Sequence, residues 1–160
     1  MLKTTLVVIA GLLALIGCST AQAVQERHVF DVSVGIPILE AYALPVSPDW
    51  IGRSQVLAWN LVTQDLGKFR ELFDVKNVSG AVAARLDDEA YLSDGDQRIE
   101  LRVSFNRQVL TLDSQQVVSA AEARVGKRAE LEISAIKPAE GFRAGDYYGT
   151  VHVMFDFLAP

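Results

Sequence analysis

Nearly every apolar run in this chain repeats with period two. From Tyr147 the odd positions read Tyr147, Gly149, Val151, Val153, Phe155 and Phe157, while the even ones include Thr150, His152 and Asp156. Near the other end, HVFDVSVGIPI places Phe30, Val32, Val34, Ile36 and Ile38 on one face and Val29, Asp31, Ser33 and Gly35 on the other. The pattern recurs at Val82, Ala84 and Leu86, at Ile99, Leu101, Val103 and Phe105, and at Leu131, Ile133 and Ala135. A strand turns successive side chains to opposite faces, so these runs predict half-buried β-strands. Roughly seven or eight short strands separated by turns predict an all-β sandwich. The run from Tyr147 to Phe157 is among the most regular, and no further run follows it to act as its neighbour. Such a strand needs hydrogen-bonded partners or a protected edge.

The punctuation between the runs refines this. Pro37 has no N–H and restricts the residue before it, so it interrupts the first run. LEAYALP continues as a short strand to Pro45, SPDWIG reads as a turn or loop, and QVLAWNLVT reads as a buried strand. KFRELFDVKNV is ambiguous between helix and strand, its later half leaning to strand through Phe73 and Val75. Asp94-Gly95 is the strongest turn signal. Asn106-Arg107 predicts a hairpin loop, because asparagine tolerates a positive φ. SAAEARVGKR is the one stretch that predicts a helical turn.

Residues 1–23 have the features of an export signal rather than of a fold. Lys3 gives a positive start, and LVVIAGLLALIG is apolar but too short to span a bilayer comfortably. Ala21, Gln22 and Ala23 then form a small-x-small cleavage site, with the cut expected between Ala23 and Val24. That cut leaves 137 of the 160 residues and, with Lys3 gone, moves the net charge from −5 to −6. A second processing signal overlaps the first: Leu15, Ile16, Gly17 and Cys18 match a bacterial lipobox, in which Cys18 becomes the lipidated first residue. Both alternatives stay open on the residues alone, and both export the protein. Cys18 is the single cysteine, so the exported domain folds without a disulfide.

The remainder suits one globular domain. It is acidic with no basic block, which argues against nucleic acid as a partner. His28 and His152 are the only histidines, and no His-x-x-x-His or Cys-x-x-Cys is present to build a transition-metal site. Asp87, Asp88, Glu89, Asp94 and Asp96 cluster, but their spacing is that of a solvated acidic turn, not of a calcium loop. There is no Gly-x-Ser-x-Gly elbow and no phosphate loop. No catalytic constellation or cofactor motif is found. Asn77-Val78-Ser79 fits a glycosylation sequon, which has no meaning behind a bacterial signal. Trp50 and Trp59 read as packing residues rather than a sugar platform.

Three stretches together resemble a known family. AVQERHVFDVSVGIPILEAYALP resembles the mature start of alternate, alpha-class chaperone–usher pilins, the coli surface antigen one type with the colonisation-factor and cable pilins, through its alternating arm, a proline, and Ala43, Leu44 and Pro45. VSFNRQVL resembles that family's hairpin through Gln108, Val109 and Leu110, and AGDYYGTVHVMF its ending through Ala144, Gly145, Tyr147, Gly149 and Val151. The resemblance is weak from Val46 to Lys68. The arm up to Pro37 is about one residue longer than the family's, which leaves the strand register open, and the lipobox is a further departure.

What the resemblance implies is an immunoglobulin-like β-sandwich, incomplete in the monomer and completed by a donor strand from a neighbouring subunit. Residues 1–23 would be the signal peptide, 24–37 the donor-strand arm and 38–160 the pilin domain. Phe30, Val32, Val34 and Ile36 would fill a groove edged by Tyr147, Gly149, Val151, Val153, Phe155 and Phe157. The function implied is a fimbrial structural subunit, not an enzyme, with a surface fibre as its location. Its partners would be other copies of itself, a periplasmic chaperone, an outer-membrane usher and a tip adhesin. Two other readings remain beside it: residues 29–36 as an ordinary strand of a complete sandwich, and an outer-membrane lipoprotein, lipidated at Cys18, acting as a β-sandwich binding module.

Overall fold

The computed structural model describes residues 40–159. Phe30, Val32, Val34, Ile36, Cys18, Ala23 and Val24 therefore lie outside the described residues.

The largest sheet is built on β4 (Lys68–Asn77), the stretch whose sequence was ambiguous; all of it is strand. Its odd positions, from Phe69 through Phe73 and Val75 to Asn77, turn inward, and Val75 is 1% exposed. β1 (Ala41–Pro45) pairs with one side of β4, and β10 (Lys127–Ala135) with the other. Beyond β10 lie β7 (Arg98–Phe105) and then β6 (Tyr91–Ser93), with β8 (Gln108–Val109) also paired to β7. All pairings are antiparallel. β7 is the clearest case of pattern dictating structure: Ile99, Leu101, Val103 and Phe105 are all buried and the residues between them are not. The β7–β8 turn is Asn106-Arg107, with φ of 49° and 66°, the left-handed pair a tight hairpin needs.

A second sheet has the order β11 (Val153–Phe157), β5 (Val82–Leu86), β9 (Gln115–Val118). It faces the first across a core centred on Phe105, which is fully buried. Phe105 lies 4.9 Å from Phe155 and 5.7 Å from Phe73, ring edge to ring face, so the aromatics tie the two layers together. Burying a side chain of this size is worth about 2–3 kcal/mol. The helix α1 (Ala120–Val125) follows β9 at once, where a helical turn was expected. A capping box holds its start: Ser119 accepts from the Glu122 N–H while the Glu122 carboxylate accepts from the Ser119 N–H. Ala123 seals its inner face.

Two sequence expectations are corrected. QVLAWNLVT is not a buried strand. Only Trp59–Asn60 (β2) is extended, paired with Asp65–Leu66 (β3) in a small separate hairpin, and Leu61 and Val62 are 83% and 92% exposed. The Asn60 side chain accepts from the Val62 and Thr63 N–H groups, and this local turn outcompetes the strand that the apolar composition favours. Nor is Tyr147–Phe157 one strand. Its first half bridges to β6 at Tyr148 and Ser93, and only Val153–Phe157 joins β5, so the segment passes from one sheet to the other. Gly149 marks the crossing, since a Cβ there would overlap the Tyr91 carbonyl oxygen.

Candidate functional site

β11 has a hydrogen-bonded neighbour on one side only among the described residues. The Leu158 N–H donates to Ala81 O (3.0 Å) and the Asp87 N–H to His152 O (3.1 Å). Antiparallel ladders alternate, so the even positions point their main-chain groups at β5. The N–H and C=O groups of Val153, Phe155 and Phe157 consequently face the other edge. The side chains of Val153 and Phe155 point at the core and are only half-buried, whereas Met154 faces outward.

Beside that edge runs an open groove of about 660 Å³. Phe69, Phe73, Leu101, Leu131 and Ile133 form its floor. One bank is the stretch Gly149, Thr150, Val151, Val153 and Phe155; the other runs from Trp50 to Leu57. Trp50 ends the 3-10 turn Pro48–Trp50 and packs edge-on against Phe69 (5.1 Å) and Phe73 (6.2 Å). Ser54 to Leu57 make no main-chain hydrogen bond with any described residue, so this bank also leaves backbone groups unpaired. The groove continues into a trough of about 930 Å³ that shares Leu57, Leu92, Gly149 and Thr150 with it and ends near Trp59, Ile99 and Tyr147.

The far end of β11 is clasped. Asn77, 3% exposed, donates to the carbonyls of Ala81 and Leu158, both at 2.9 Å, and accepts from the Ser79 N–H. Gly80 permits this, because any Cβ would overlap the Leu158 carbonyl. The edge strand is thus fixed at both ends, by Gly149 against Tyr91 and by Asn77 against Leu158.

Among the described residues, Arg53 is the one ionisable residue lining the groove. Such a surface can take up apolar side chains and pair with a main chain, but has no acid–base pair to move a proton. The acidic turn is structural: the Asp94 carboxylate accepts from the Gln97 (2.6 Å) and Asp96 (3.0 Å) N–H groups, and these bonds, led by Gln97, hold its carboxyl below the ordinary range. Among the described residues no three His, Cys, Asp or Glu side chains gather as metal ligands.

Of the residues singled out in the sequence, Gly149, Val151, Val153 and Phe155 line the groove, Tyr147 lines the adjoining trough, and Phe157 lies at the clasped end, 40% exposed. Sequence reasoning missed the opposite bank, the Asn77 clasp and the Phe69 end of the floor. The signal for the floor was the Phe69, Glu71, Phe73 alternation, masked by its equal fit to a helical spacing.

The described residues thus form a two-layer antiparallel sandwich with an apolar groove along β11. The structure of the CooA pilin subunit from enterotoxigenic Escherichia coli is similar, with a TM-score of 0.57 at 15% identity, covering 71% of this chain and 86% of that one. Comparison with curated proteins gave no match. The description of the CS1 type fimbrial major subunit family matches residues 26–156, and the chain belongs to that family. It is a structural subunit of a cell-surface pilus, polymerises with copies of itself, and is not an enzyme.

Proposed function

We propose that the subunit enters its fibre by donor-strand exchange. Residues 24–37 of one copy insert along β11 of the next, completing an immunoglobulin-like fold whose domain spans 38–160. The observation that supports this most is the open apolar groove beside a strand edge that has no described neighbour. Phe30, Val32, Val34 and Ile36 have the spacing to occupy successive positions over Phe69, Phe73, Leu101 and Leu131, and the arm's main chain can pair with Val153, Phe155 and Phe157. Burying four such side chains is worth roughly 6–12 kcal/mol before the entropy of ordering the arm.

Before assembly, a periplasmic chaperone covers the groove and an outer-membrane usher exchanges it for the arm; a tip adhesin ends the fibre. Signal cleavage after Ala23 frees the arm, so the mature chain starts at Val24. Mass spectrometry of fibre subunits should find Val24 first; an acylated Cys18 would instead place the chain among lipoproteins.

Deleting residues 24–36 tests the exchange. The truncated subunit should still bind chaperone, because the groove belongs to its own fold, but should form no fibres. Normal fibres from it would end the donor-strand reading. A charge at Val32 should block assembly, while one at Ser33 should reduce it little, because only the former buries an unpaired charge. Equal assembly of Val32→Asp and Ser33→Asp would mean that the register is wrong.

A further inference from the structure

Trp50 has a feature that its packing role does not explain. Its indole Nε1 is buried and has no hydrogen-bond partner, alone among the buried side-chain polar atoms of the described residues. Buried indole N–H groups almost always find an acceptor, because leaving one unmade forfeits its hydration. The ring rests edge-on against Phe69 and Phe73, held by packing alone, and borders the groove. The Trp50 carbonyl is well anchored, accepting from the Arg53 N–H (3.1 Å) and the Gln55 side chain (3.2 Å), so the backbone is fixed while the indole is not tied.

Resting on the donor-strand reading above, we propose that Trp50 is a recognition residue for the inserted arm: its indole N–H donates to a main-chain carbonyl of residues 24–37 of a second copy. The occupant follows from its chemistry. Phe30, Val32, Val34 and Ile36 carry no acceptor, and Asp31 and Ser33 fall on the opposite face of the arm. Along the stretch from Phe30 to Ile36, the acceptors that the groove-facing side of the arm can bring to the Trp50 bank are its own carbonyls. The opposite bank offers the main-chain groups of β11, so the arm is gripped by a ladder on one side and an indole N–H on the other. Trp59 has no such role, because at 45% exposure its N–H can be hydrated. To reach the arm the Trp50 ring turns off the Phe69 and Phe73 floor, which at the same time uncovers apolar surface for the arm's side chains.

The test uses the mature full-length chain. In a Trp59→Phe background Trp50 is the sole indole, and ultraviolet resonance Raman reads the hydrogen-bonding state of its N–H. The band should shift to the bonded position when unassembled subunits become fibres. Separately, Trp50→Phe keeps an aromatic ring and removes the N–H. Its unassembled subunit should melt within a degree or two of the wild type, while its fibres should dissociate in denaturant about tenfold faster, the size of one hydrogen bond. An unshifted band, or equal loss of stability in subunit and fibre, would overturn the proposal and leave Trp50 a packing residue. The Raman measurement keeps Trp50 native, so it decides the matter even if Trp50→Phe folds poorly. Fibres lacking this bond, with the arm deletion still abolishing assembly, would refute the Trp50 role alone; fibres from the arm-deleted chain would refute donor-strand exchange itself.

Discussion

The three-stranded sheet has two edges, and they are treated in opposite ways. At the β9 edge, Val117 and Val118 are each 1% exposed. The Asn106 side chain donates to Val117 O at 2.6 Å, the Gln115 side chain donates to Val109 O, and α1 folds down directly after the strand. The segment before β9 continues the pairing with β5, the Leu86 N–H donating to Thr111 O at 2.7 Å. At the β11 edge no side-chain amide from the described residues reaches the strand's outward groups, Val153 and Phe155 stay half-buried, and an apolar groove lies alongside. Both edges belong to the same small sheet and flank the same strand, β5. The open edge is therefore not a general shortage of closing material. Among the described residues, side-chain amides close one edge, while the other presents a backbone template over apolar side chains, which suits an assembling subunit better than a solitary one.

Making the two edges alike should have the largest effect. Fusing a second copy of residues 24–37 after Pro160 through a short flexible linker lets the added arm run back along β11 and supply the missing neighbour at high effective concentration. The expected product is a soluble monomer that makes no fibres and melts more than about 10 °C higher, since a net few kcal/mol moves a domain of this size by that much. Calorimetry and size exclusion read both outcomes. A native subunit that is already monomeric, with a melt unchanged by the fusion, would mean that the β11 edge needs no partner.

The reverse experiment opens the closed edge. Asn106→Gly keeps the left-handed backbone that φ of 49° demands while removing the bond to Val117 O. It should cost about 1–2 kcal/mol, from one lost hydrogen bond and the extra freedom of glycine, and lower the melting temperature by several degrees. On the donor-strand proposal, fibre assembly should persist, because the arm would add to the β11 edge and not to β9. Loss of fibres at unchanged subunit stability would show that the two edges are coupled.

How far the sequence reveals each edge follows from the same contrast. The strands that bury one face within their own domain, such as Ile99–Phe105, could be read directly, because burial on one side imposes strict alternation. The Asn106-Arg107 turn and the helical turn in SAAEARVGKR were equally legible, since each is local chemistry. The groove was not. Ile51 and Leu57 on its outer bank look like core residues in composition, and a sequence does not say whether an apolar residue is covered by its own fold or by a neighbour's. The passage of Tyr147–Phe157 between sheets was also hidden: alternation continues through the crossing, and only Gly149, where the backbone meets Tyr91, marks it. Asn77 was visible only as an irrelevant sequon, although it clasps the end of the edge strand.

The smallest expected effect concerns the helix that follows the closed edge. Glu122 closes the capping box of α1, and its carboxylate also accepts from Lys127 (3.0 Å). The bond from Lys127, followed by those from Ser119, holds the Glu122 carboxyl at about 2, below its ordinary 4.5. A carboxyl that is more acidic in the folded protein takes up its proton first in the unfolded chain, so acid favours unfolding. The stabilisation is fully present above about pH 4.5 and is lost as the pH falls toward 2. Glu122→Gln keeps an acceptor oxygen for the cap but removes the charge. Its melting temperature should lie slightly below the wild type's at pH 7, with the gap constant down to about pH 5 and then closing toward pH 2. Half-molar salt should narrow the gap at pH 7, because both partners are solvent-exposed and screened. Fibre assembly at neutral pH should be unaffected, since Glu122 does not line the groove. A gap independent of pH would show that the charge of Glu122 contributes nothing and that the cap rests on its hydrogen bonds alone.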